Sequence, residues 1–378
     1  MTVIGAAQLN RSTLHRQLLL ERAPVTVGEA AQRIAGLQAQ APAAPYVGLW
    51  NRIADLDFGD VDRAFADRSL VKASLMRITL HAVPADDYPT FHHASTPLLR
   101  AARLNDRRYR DTDLTTDDAD GAIPGLLDFL DAPRSKAEIL EHLANNVSDE
   151  PRLWWALRTF APITHAPTGP PWSFGRDAVF ERAPTAARPP VDEALRSLVR
   201  RYLLAFGPAS IADFAQFSLQ AMSVARPAFD SLRDGLVAYT TIDGHELFDV
   251  VDAPPLPDAD VSAPPRLMAM WDNTLLAYRD RSRIIPDDFR PHVIRRNGDV
   301  LPAVLVDGRV AGVWNSGPTG IEVGAFEELD RGVWDALENE AGRLHAALVD
   351  RGPVVFERVG AWWPKLPFAS TRLFAATP

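Results

Sequence analysis

The fold of this chain is decided by residues 191–251, which have the sequence VDEALRSLVRRYLLAFGPASIADFAQFSLQAMSVARPAFDSLRDGLVAYTTIDGHELFDVV. Apolar residues recur at helical spacing over 191–206, and a Gly-Pro pair ends that helix. Two further helices are predicted at 210–217 and 221–233. The dipeptide Asp243-Gly244 then indicates a hairpin between two short strands. Three helices followed by a hairpin form a winged helix, a variant of the helix-turn-helix.

The same order of elements recurs twice nearer the N-terminus. Thr26 with Glu29, and Ser135 with Glu138, have the spacing of a capping box at the start of a helix. Predicted helices lie at 12–21, 26–34 and 42–53 in the first copy, and at 123–130, 135–143 and 151–160 in the second; strands are predicted at 70–83, 163–166 and 171–180. Because the spacing of the copies is irregular, tandem units are favoured over a solenoid.

The sequence therefore predicts an α+β protein of three tandem winged-helix units and a β-rich C-terminal part, C-shaped around DNA. The units are predicted at 1–95, 96–188 and 189–252, and the C-terminal part at 253–378. In that last part, Asn297-Gly298 and Asp307-Gly308 indicate two hairpins in series. A long amphipathic helix is predicted at 330–349 and a closing strand at 354–359.

Composition excludes several classes of function. The chain has 378 residues, 47% hydrophobic and 24% charged, and no run of eighteen apolar residues, so we expect no membrane span. It has no signal-peptide pattern, and we expect a cytoplasmic, nucleoid-associated protein. The absence of cysteine excludes disulfides and thiolate chemistry. A net charge of −9 argues against a basic surface overall but allows a basic cleft.

Common catalytic motifs are absent. There is no Gly-rich phosphate loop, no HExxH and no GxSxG, and His92-His93 lacks a third ligand at a metal spacing. We therefore expect neither a metal nor a cofactor. Arginines cluster at 100–110 and at 279–296. Each cluster predicts either phosphate contacts or a solvated arginine-rich face.

Four short segments resemble the AlkZ-like DNA glycosylases, whose sister branch is the YcaQ-like proteins. They have the sequences LNRSTLH at 9–15, GLQAQAP at 36–42, RITLHAV at 77–83 and MWDN at 270–273. The resemblance covers about residues 9–360. It implies a tandem winged-helix enzyme whose catalytic signature, Gln–apolar–Gln, is matched by Gln38-Ala39-Gln40. The sister branch has Asp at the last place, so Gln40 indicates the AlkZ-like branch.

This resemblance implies excision of bulky N7-alkylguanine adducts and unhooking of interstrand crosslinks made by DNA-alkylating antibiotics such as azinomycin. The implied partner is double-stranded DNA carrying such lesions, and we expect a monomer.

The glutamine side chain is neither a useful acid nor a useful base at neutral pH. An N7-alkylguanine is already cationic, so holding a water near C1′ can suffice without protonating the leaving group. Alternatively, Gln38 and Gln40 merely cap the preceding helix and face solvent.

A DNA clamp is predicted at 281–297. Its candidate residues are Arg281, Arg283, Arg290, His292, Arg295, Arg296 and Asn297, several of them near a hairpin tip that could enter a groove. Arg281 and Arg283 would share one face if 279–285 were extended. Trp271 and Asp272 also match the family, although a structural role, as a tryptophan in the core and an aspartate in a turn, accounts for them equally well. The alternative for the clamp is a surface hairpin with structural arginines.

Two other functions stay open at this stage. One is a non-catalytic transcription regulator, for which the predicted helix 221–233 carries only two basic residues, Arg226 and Arg233. The other is a resistance protein that sequesters the drug.

For the glycosylase we predict an open cleft without a deep base pocket, because a crosslinked guanine cannot leave the duplex. A lyase step is not expected, although Lys72 could approach Gln38 in the fold.

Overall fold

The structure is a computed structural model that describes residues 2–184, 189–352 and 354–375. Helices and strands are both abundant, as the α+β prediction requires. The helices are α1 Ala6–Arg16, α2 Val27–Arg33, α3 Ala44–Trp50, α4 Phe58–Ala66, α5 Tyr88–Leu104, α6 Arg107–Arg110, α7 Thr116–Phe129, α8 Lys136–Asn146, α9 Pro151–Phe160, α10 Val191–Phe206, α11 Ile211–Ser218, α12 Met222–Asp230, α13 Arg290–Val293, α14 Arg331–Leu348 and α15 Arg358–Trp362.

The strands form three sheets. They are β1 Thr2–Ile4, β2 Leu37–Gln38, β3 Leu70–Ser74, β4 Leu80–Pro84, β5 Arg134–Ser135, β6 Ile163–Ala166, β7 Val179–Arg182, β8 Leu236–Thr241, β9 Glu246–Val250, β10 Arg266–Leu267, β11 Ala303–Val306, β12 Arg309–Gly317, β13 Gly320–Ala325 and β14 Ser370–Ala375. The sheet orders are β2-β4-β3-β6-β7-β5, β1-β8-β9 and β10-β11-β12-β13-β14.

Residues 191–251 form the elements in the order predicted from their sequence. Helices α10, α11 and α12 are followed by the antiparallel pair β8 and β9, whose turn contains Gly244 at φ +84°. Ser210 caps α11, and Leu219 in the left-handed conformation ends it. The hairpin is not isolated, because β1 pairs in parallel with β8 and ties the N-terminus to this unit.

The first two predicted units share one sheet. Strands β3 and β4 of the first meet β6 and β7 of the second through the pairing of Lys72 with His165. Helix α5 runs across the predicted boundary between residues 95 and 96. Both predicted capping boxes, at Thr26 and Ser135, are formed. The four-part domain division and the wrapping of the chain around DNA stay predictions.

The structure differs from the sequence-based prediction at the closing strand and at the first helix. The predicted closing strand at 354–359 is wrong: the chain there is irregular and continues into α15, and β14 closes the sheet instead. Buried Val355, Phe356 and Val359 have helical rather than alternating spacing. The predicted helix at 12–21 begins earlier, at Ala6, and ends before Leu18, which adopts φ +56°.

Two packed cores position the site. One joins α2, α3 and α4 to the five-stranded sheet and α14, and the other surrounds α10. Strand β2 lies between them: Leu37 packs into the first core, and Ala35 just before it packs into the second. Among the described helices, none combines the length and hydropathy that crossing a bilayer requires.

Candidate active site

Gln38 is buried at the end of β2 and its amide is held in one orientation. The backbone of β2 pairs with β4, so that Gln38 lies opposite His81. Its Oε1 accepts a hydrogen bond from Nη2 of Arg77 at 2.9 Å. Because a guanidinium has no acceptor, the amide atom that faces it must be the oxygen. Gly36, at φ +81°, allows the chain before β2 to lie close to β4, since a Cβ there would meet Val83 Cγ1 at 2.7 Å.

Arg77 brings together three of the segments that carried the family resemblance. Its Nη2 contacts Gln38, the Oδ1 of Asn273 at 2.6 Å and the Nε2 of His81 at 3.2 Å. Asn273 in turn donates to the carbonyl of Gly36 at 3.0 Å. Arg77 Nη1 donates to the carbonyl of Phe217 at 2.8 Å. Gln38 is therefore held by groups that are far apart in the sequence.

His81 is neutral in this arrangement. Its Nδ1 lies 3.1 Å from the carbonyl oxygen of Thr79, which can only accept, so Nδ1 carries the proton and Nε2 faces Arg77 as an acceptor. Burial, and secondly the charge of Arg77, lower the pKa of His81 to about 3. Burial, and then the charge of Arg281, lower the pKa of Arg77 to about 9. Arg77 therefore stays largely charged at neutral pH.

A small polar cavity adjoins Gln38. Its volume is about 10 Å³, and its lining includes Gln17, Arg52 and Asp272. That volume suits about one water molecule and excludes a purine. Arg52 and Asp272 form a buried ion pair in its wall, with two contacts of 2.9 Å. Burial raises the pKa of Asp272, but the charge and hydrogen bonds of Arg52, together with the hydrogen bonds from Thr274, outweigh it and hold this pKa below its usual range.

Gln40 is exposed and lies at an open cleft. Its Oε1 accepts a hydrogen bond from the backbone N–H of Leu80 at 2.9 Å, which again fixes the amide orientation. The cleft has a volume of about 760 Å³. Aromatic rings line much of it, from Trp172, Phe174, Trp271 and Phe356. The space beside Gln40 is thus an open cleft, and the cavity beside Gln38 is too small for a base, so neither is a closed base-sized pocket, in agreement with the sequence-based prediction.

Two basic side chains of the six-stranded sheet also line this cleft. Lys72 is 5% exposed and its Nζ lies 4.4 Å from the centre of the Phe174 ring. Burial lowers the pKa of Lys72 to about 8. Burial, followed by the charges of Lys72 and Arg158, lowers the pKa of His165 to about 3.

The two depressed histidines predict acid sensitivity of the fold. His81 and His165 stay neutral in the folded protein down to about pH 3, whereas in the unfolded chain they take up protons near pH 6.5. The unfolded state then binds more protons, so the free energy of unfolding falls as pH drops below 6.5, by up to about 1.4 kcal/mol per pH unit for each histidine. Urea unfolding at pH 7 and pH 5 measures this loss. His165→Phe should remove about half of it, and an unchanged pH dependence in that variant would contradict the assignment.

The predicted clamp residues Arg281 and Arg283 do not share a face. Residues 281–285 form a turn, with the N–H groups of Ile284 and Ile285 donating to the carbonyl of Arg281, so the extended backbone that a shared face would require is not formed there. Arg283 lies over the Tyr278 ring at 4.1 Å and donates to the carbonyl of Pro208. Arg281 is half-buried, and its Nε has no hydrogen-bond partner within the described part of the chain.

The remaining clamp residues lie around one turn. Arg290 begins α13, and the centre of the His292 ring lies 5.5 Å from that of Phe326. Arg295 lies over the Trp362 ring at 4.3 Å, and Asn297 donates to the Asp299 carboxylate at 2.9 Å. Arg296 is exposed.

This turn borders the cleft. Nε1 of Trp271, a cleft residue, donates to the carbonyl of Gly298 at 3.0 Å, and Arg358, also in the cleft, donates to Asp299 at 3.0 Å. The other arginine cluster, at 100–110, is largely paired within itself and with its neighbours, for example Arg100 with Asp120 and Arg107 with Asp111. That cluster matches the solvated-face interpretation.

Sequence reasoning missed Arg77 and Asn273 as site residues. Both lie in segments that resemble the family, and this resemblance was the signal that could have identified them. Lys72 was noted only as a lysine that could approach. Across the described ranges, no three His, Asp or Glu side chains are grouped so as to hold a metal ion.

Comparison with known proteins gives a consistent result. The family model described as "DNA glycosylase AlkZ-like" matches residues 31–347. An interstrand DNA cross-link repair glycosylase from Streptomyces sahachiroi is 28% identical over 364 residues, which is 90% of this chain and 96% of that protein. The solved structure of the Streptomyces sahachiroi DNA glycosylase AlkZ superposes with a TM-score of 0.79 at 25% identity, covering 93% of this chain and 99% of that one.

Proposed function

The chain belongs to the AlkZ-like family of DNA glycosylases, and from that premise we propose that it hydrolyses the N-glycosidic bond of N7-alkylguanine in double-stranded DNA. We include lesions that crosslink the two strands, because a relative of similar length is named as an interstrand cross-link repair glycosylase. Water is the nucleophile in this proposal, so the enzyme is monofunctional. The protein acts at the nucleoid as a monomer. The observation that carries the proposal is the fixed amide of Gln38 beside the Gln40 cleft.

The two glutamines act by orienting water. Each has its carbonyl oxygen engaged once, Gln38 by Arg77 and Gln40 by the N–H of Leu80, which leaves a second lone pair to accept from a water. Among the described residues, neither amide nitrogen donates a hydrogen bond. A carbonyl oxygen that already accepts from a cation is a weak base, so the gain comes from alignment. Alignment suffices when the leaving purine already carries a positive charge.

The surroundings suit a lesion that stays in the duplex. An open cleft of about 760 Å³ accommodates a large substituent on the base. The turn that carries Arg295, Arg296 and Asn297 borders this cleft, and we assign it to contacts with the DNA backbone or groove. Arg281, whose Nε has no hydrogen-bond partner among the described residues, and Arg290 are further phosphate contacts in the proposal. Arg283 and His292 contribute by holding this region together.

The proposal is tested with two matched duplexes. One contains a single N7-methylguanine, and the other has the neutral O6-methylguanine at the same place. After incubation with the protein, heat or alkali converts abasic sites to strand breaks. We expect breaks only from the cationic lesion, and only after that treatment, because neither glutamine can protonate a neutral leaving group.

Each alternative predicts a different outcome. A transcription regulator or a drug-sequestering protein would produce no abasic sites in either duplex. Equal release of both bases would overturn the charge-based mechanism, and breaks without heat or alkali would overturn the monofunctional assignment. The family membership does not favour either non-enzymatic function.

Arg77 is a positioning residue for Gln38. We expect Arg77→Lys to lower kcat for N7-methylguanine release by roughly tenfold with little change in KM, because one ammonium cannot contact Gln38, Asn273 and the Phe217 carbonyl together. Single-turnover rates over a range of DNA concentrations separate the two constants. Arg33→Lys, at an exposed arginine that ends α2, is the matched control. A change in KM alone would place Arg77 in DNA binding.

A further inference from the structure

Lys72 is a buried amine that has no polar partner among the residues that the structure describes. It lies in the middle of β3, it is 5% exposed, and its side chain lines the Gln40 cleft. Within the described part of the chain it forms no hydrogen bond and no ion pair; its Nζ contact is the Phe174 ring. Removing an ammonium from water without a partner is costly. An amine held in this way at the wall of an open cleft is available to a ligand.

The strand register places Lys72 close to Gln40. In the β3–β4 pair, Ser74 lies opposite Leu80 and Lys72 opposite Ala82, so Lys72 and Leu80 are diagonal neighbours on one face of the sheet. Such neighbours are about 7–8 Å apart. Leu80 is the residue whose N–H holds the Gln40 amide. A deoxyribose beside Gln40 is therefore within reach of the flexible lysine side chain.

Lysine amines react with aldehydes only when they are uncharged. Burial lowers the pKa of Lys72 to about 8, so that far more of this amine is neutral at pH 7.5 than for an exposed lysine. An abasic site in DNA supplies an aldehyde at C1′ when its sugar ring is open. Our proposed function produces this group at the place where the base is removed.

We propose that Lys72 captures the abasic site after base removal by forming a reversible imine with its C1′ aldehyde. The lone pair of Nζ forms a bond to C1′, and the aldehyde oxygen leaves as water with the two hydrogens of the amine. No phosphodiester bond breaks, and addition of water to the imine returns the amine and the aldehyde. The imine retains the product on the enzyme. This step rests on the proposed function only for its substrate.

Reductive trapping on a preformed abasic duplex tests the capture by itself. A uracil-containing duplex is converted to an abasic one by a separate uracil glycosylase, which is then removed. The full-length protein is added with sodium cyanoborohydride, which reduces an imine to a stable amine, and the products are separated on a denaturing gel. We expect a covalent protein–DNA complex, with the adduct mapped by mass spectrometry to the peptide that contains Lys72.

Lys72→Arg keeps the charge but lacks a nucleophilic amine, and it should reduce trapping at least tenfold. Lys365→Arg is the matched control, because this exposed lysine also lies against an aromatic ring, that of Trp362 at 5.1 Å. If Lys72→Arg unfolds, Lys72→Met replaces it, and the mapped wild-type adduct stands without either variant. Bound but untrapped wild-type protein, or undiminished trapping in a folded Lys72 variant, would overturn the proposal. Trapping without any release of N7-methylguanine would instead overturn the proposed function alone.

Discussion

Gln38→Ala is expected to lower the rate of N7-methylguanine release at saturating DNA by about 100-fold, with little change in affinity for undamaged duplex. The side chain removed is the one whose oxygen is fixed by Arg77 at 2.9 Å. Without the amide, a water beside C1′ keeps its access but loses its alignment. The clamp residues are untouched, so DNA binding should persist.

The fold should tolerate this substitution. Strand β2 is held by backbone pairing with β4 and by burial of Leu37 and Ala39, none of which needs the Gln38 side chain. Gln38→Glu provides a finer comparison, because its carboxylate still accepts from Arg77 and should retain more activity than alanine. Gln32→Ala, at an exposed position of α2, is the matched control and should match the wild type.

The double variant Gln38→Ala/Gln40→Ala tests whether the two glutamines take part in base release. It removes the Gln38 amide beside the small cavity and the Gln40 amide at the cleft, and we expect heat-dependent strand breaks at the level of the uncatalysed reaction. Breaks that persist undiminished in this variant would remove the glutamines from the mechanism. Thermal unfolding of each variant shows whether a loss of activity comes from the site or from the fold.

Much of this fold could be predicted from the sequence because capping boxes, turns and amphipathic helices depend on residues that are close together in the chain. The capping boxes at Thr26 and Ser135 depend on residues three apart, and the turn at Asp307-Gly308 requires positive φ angles that both residues adopt. The long helix α14 follows from its own apolar periodicity. These features are decided within one or two turns of chain.

The arrangement of the site could not be predicted in the same way. Arg77 is 39 residues from Gln38 and 196 from Asn273, and nothing in the intervening periodicity brings them together. The six-stranded sheet is joined where strands from two predicted units meet, at the pairing of Lys72 with His165. A shared face for Arg281 and Arg283 would require an extended chain, whereas 281–285 forms a turn in which Ile284 and Ile285 are buried. Tertiary packing overrides local pattern at these places.

Asp272→Ala is expected to lower the free energy of unfolding by about 3–5 kcal/mol. The Asp272 and Arg52 side chains are 4% and 1% exposed, and they form two contacts of 2.9 Å. Asp272 also accepts the N–H of Thr274 at 2.9 Å. Truncating Asp272 leaves the Arg52 guanidinium buried without a counter-charge. The free-energy cost of that unpaired buried charge exceeds the net stabilisation that the contacts provide. Urea unfolding at pH 7 measures the change.

Two comparisons separate a buried charge from an ordinary ion pair. Asp111→Ala breaks the pair with Arg107, whose side chains are 61% and 90% exposed, and should leave stability almost unchanged because water replaces the lost contact. The double variant Arg52→Met/Asp272→Leu removes both buried charges and should recover much of the loss. Because Asn273 follows Asp272 directly and binds Arg77, the single variant should also release Gln38 and lower activity below what its stability explains. A loss of less than 1 kcal/mol in Asp272→Ala would show that water reaches Arg52.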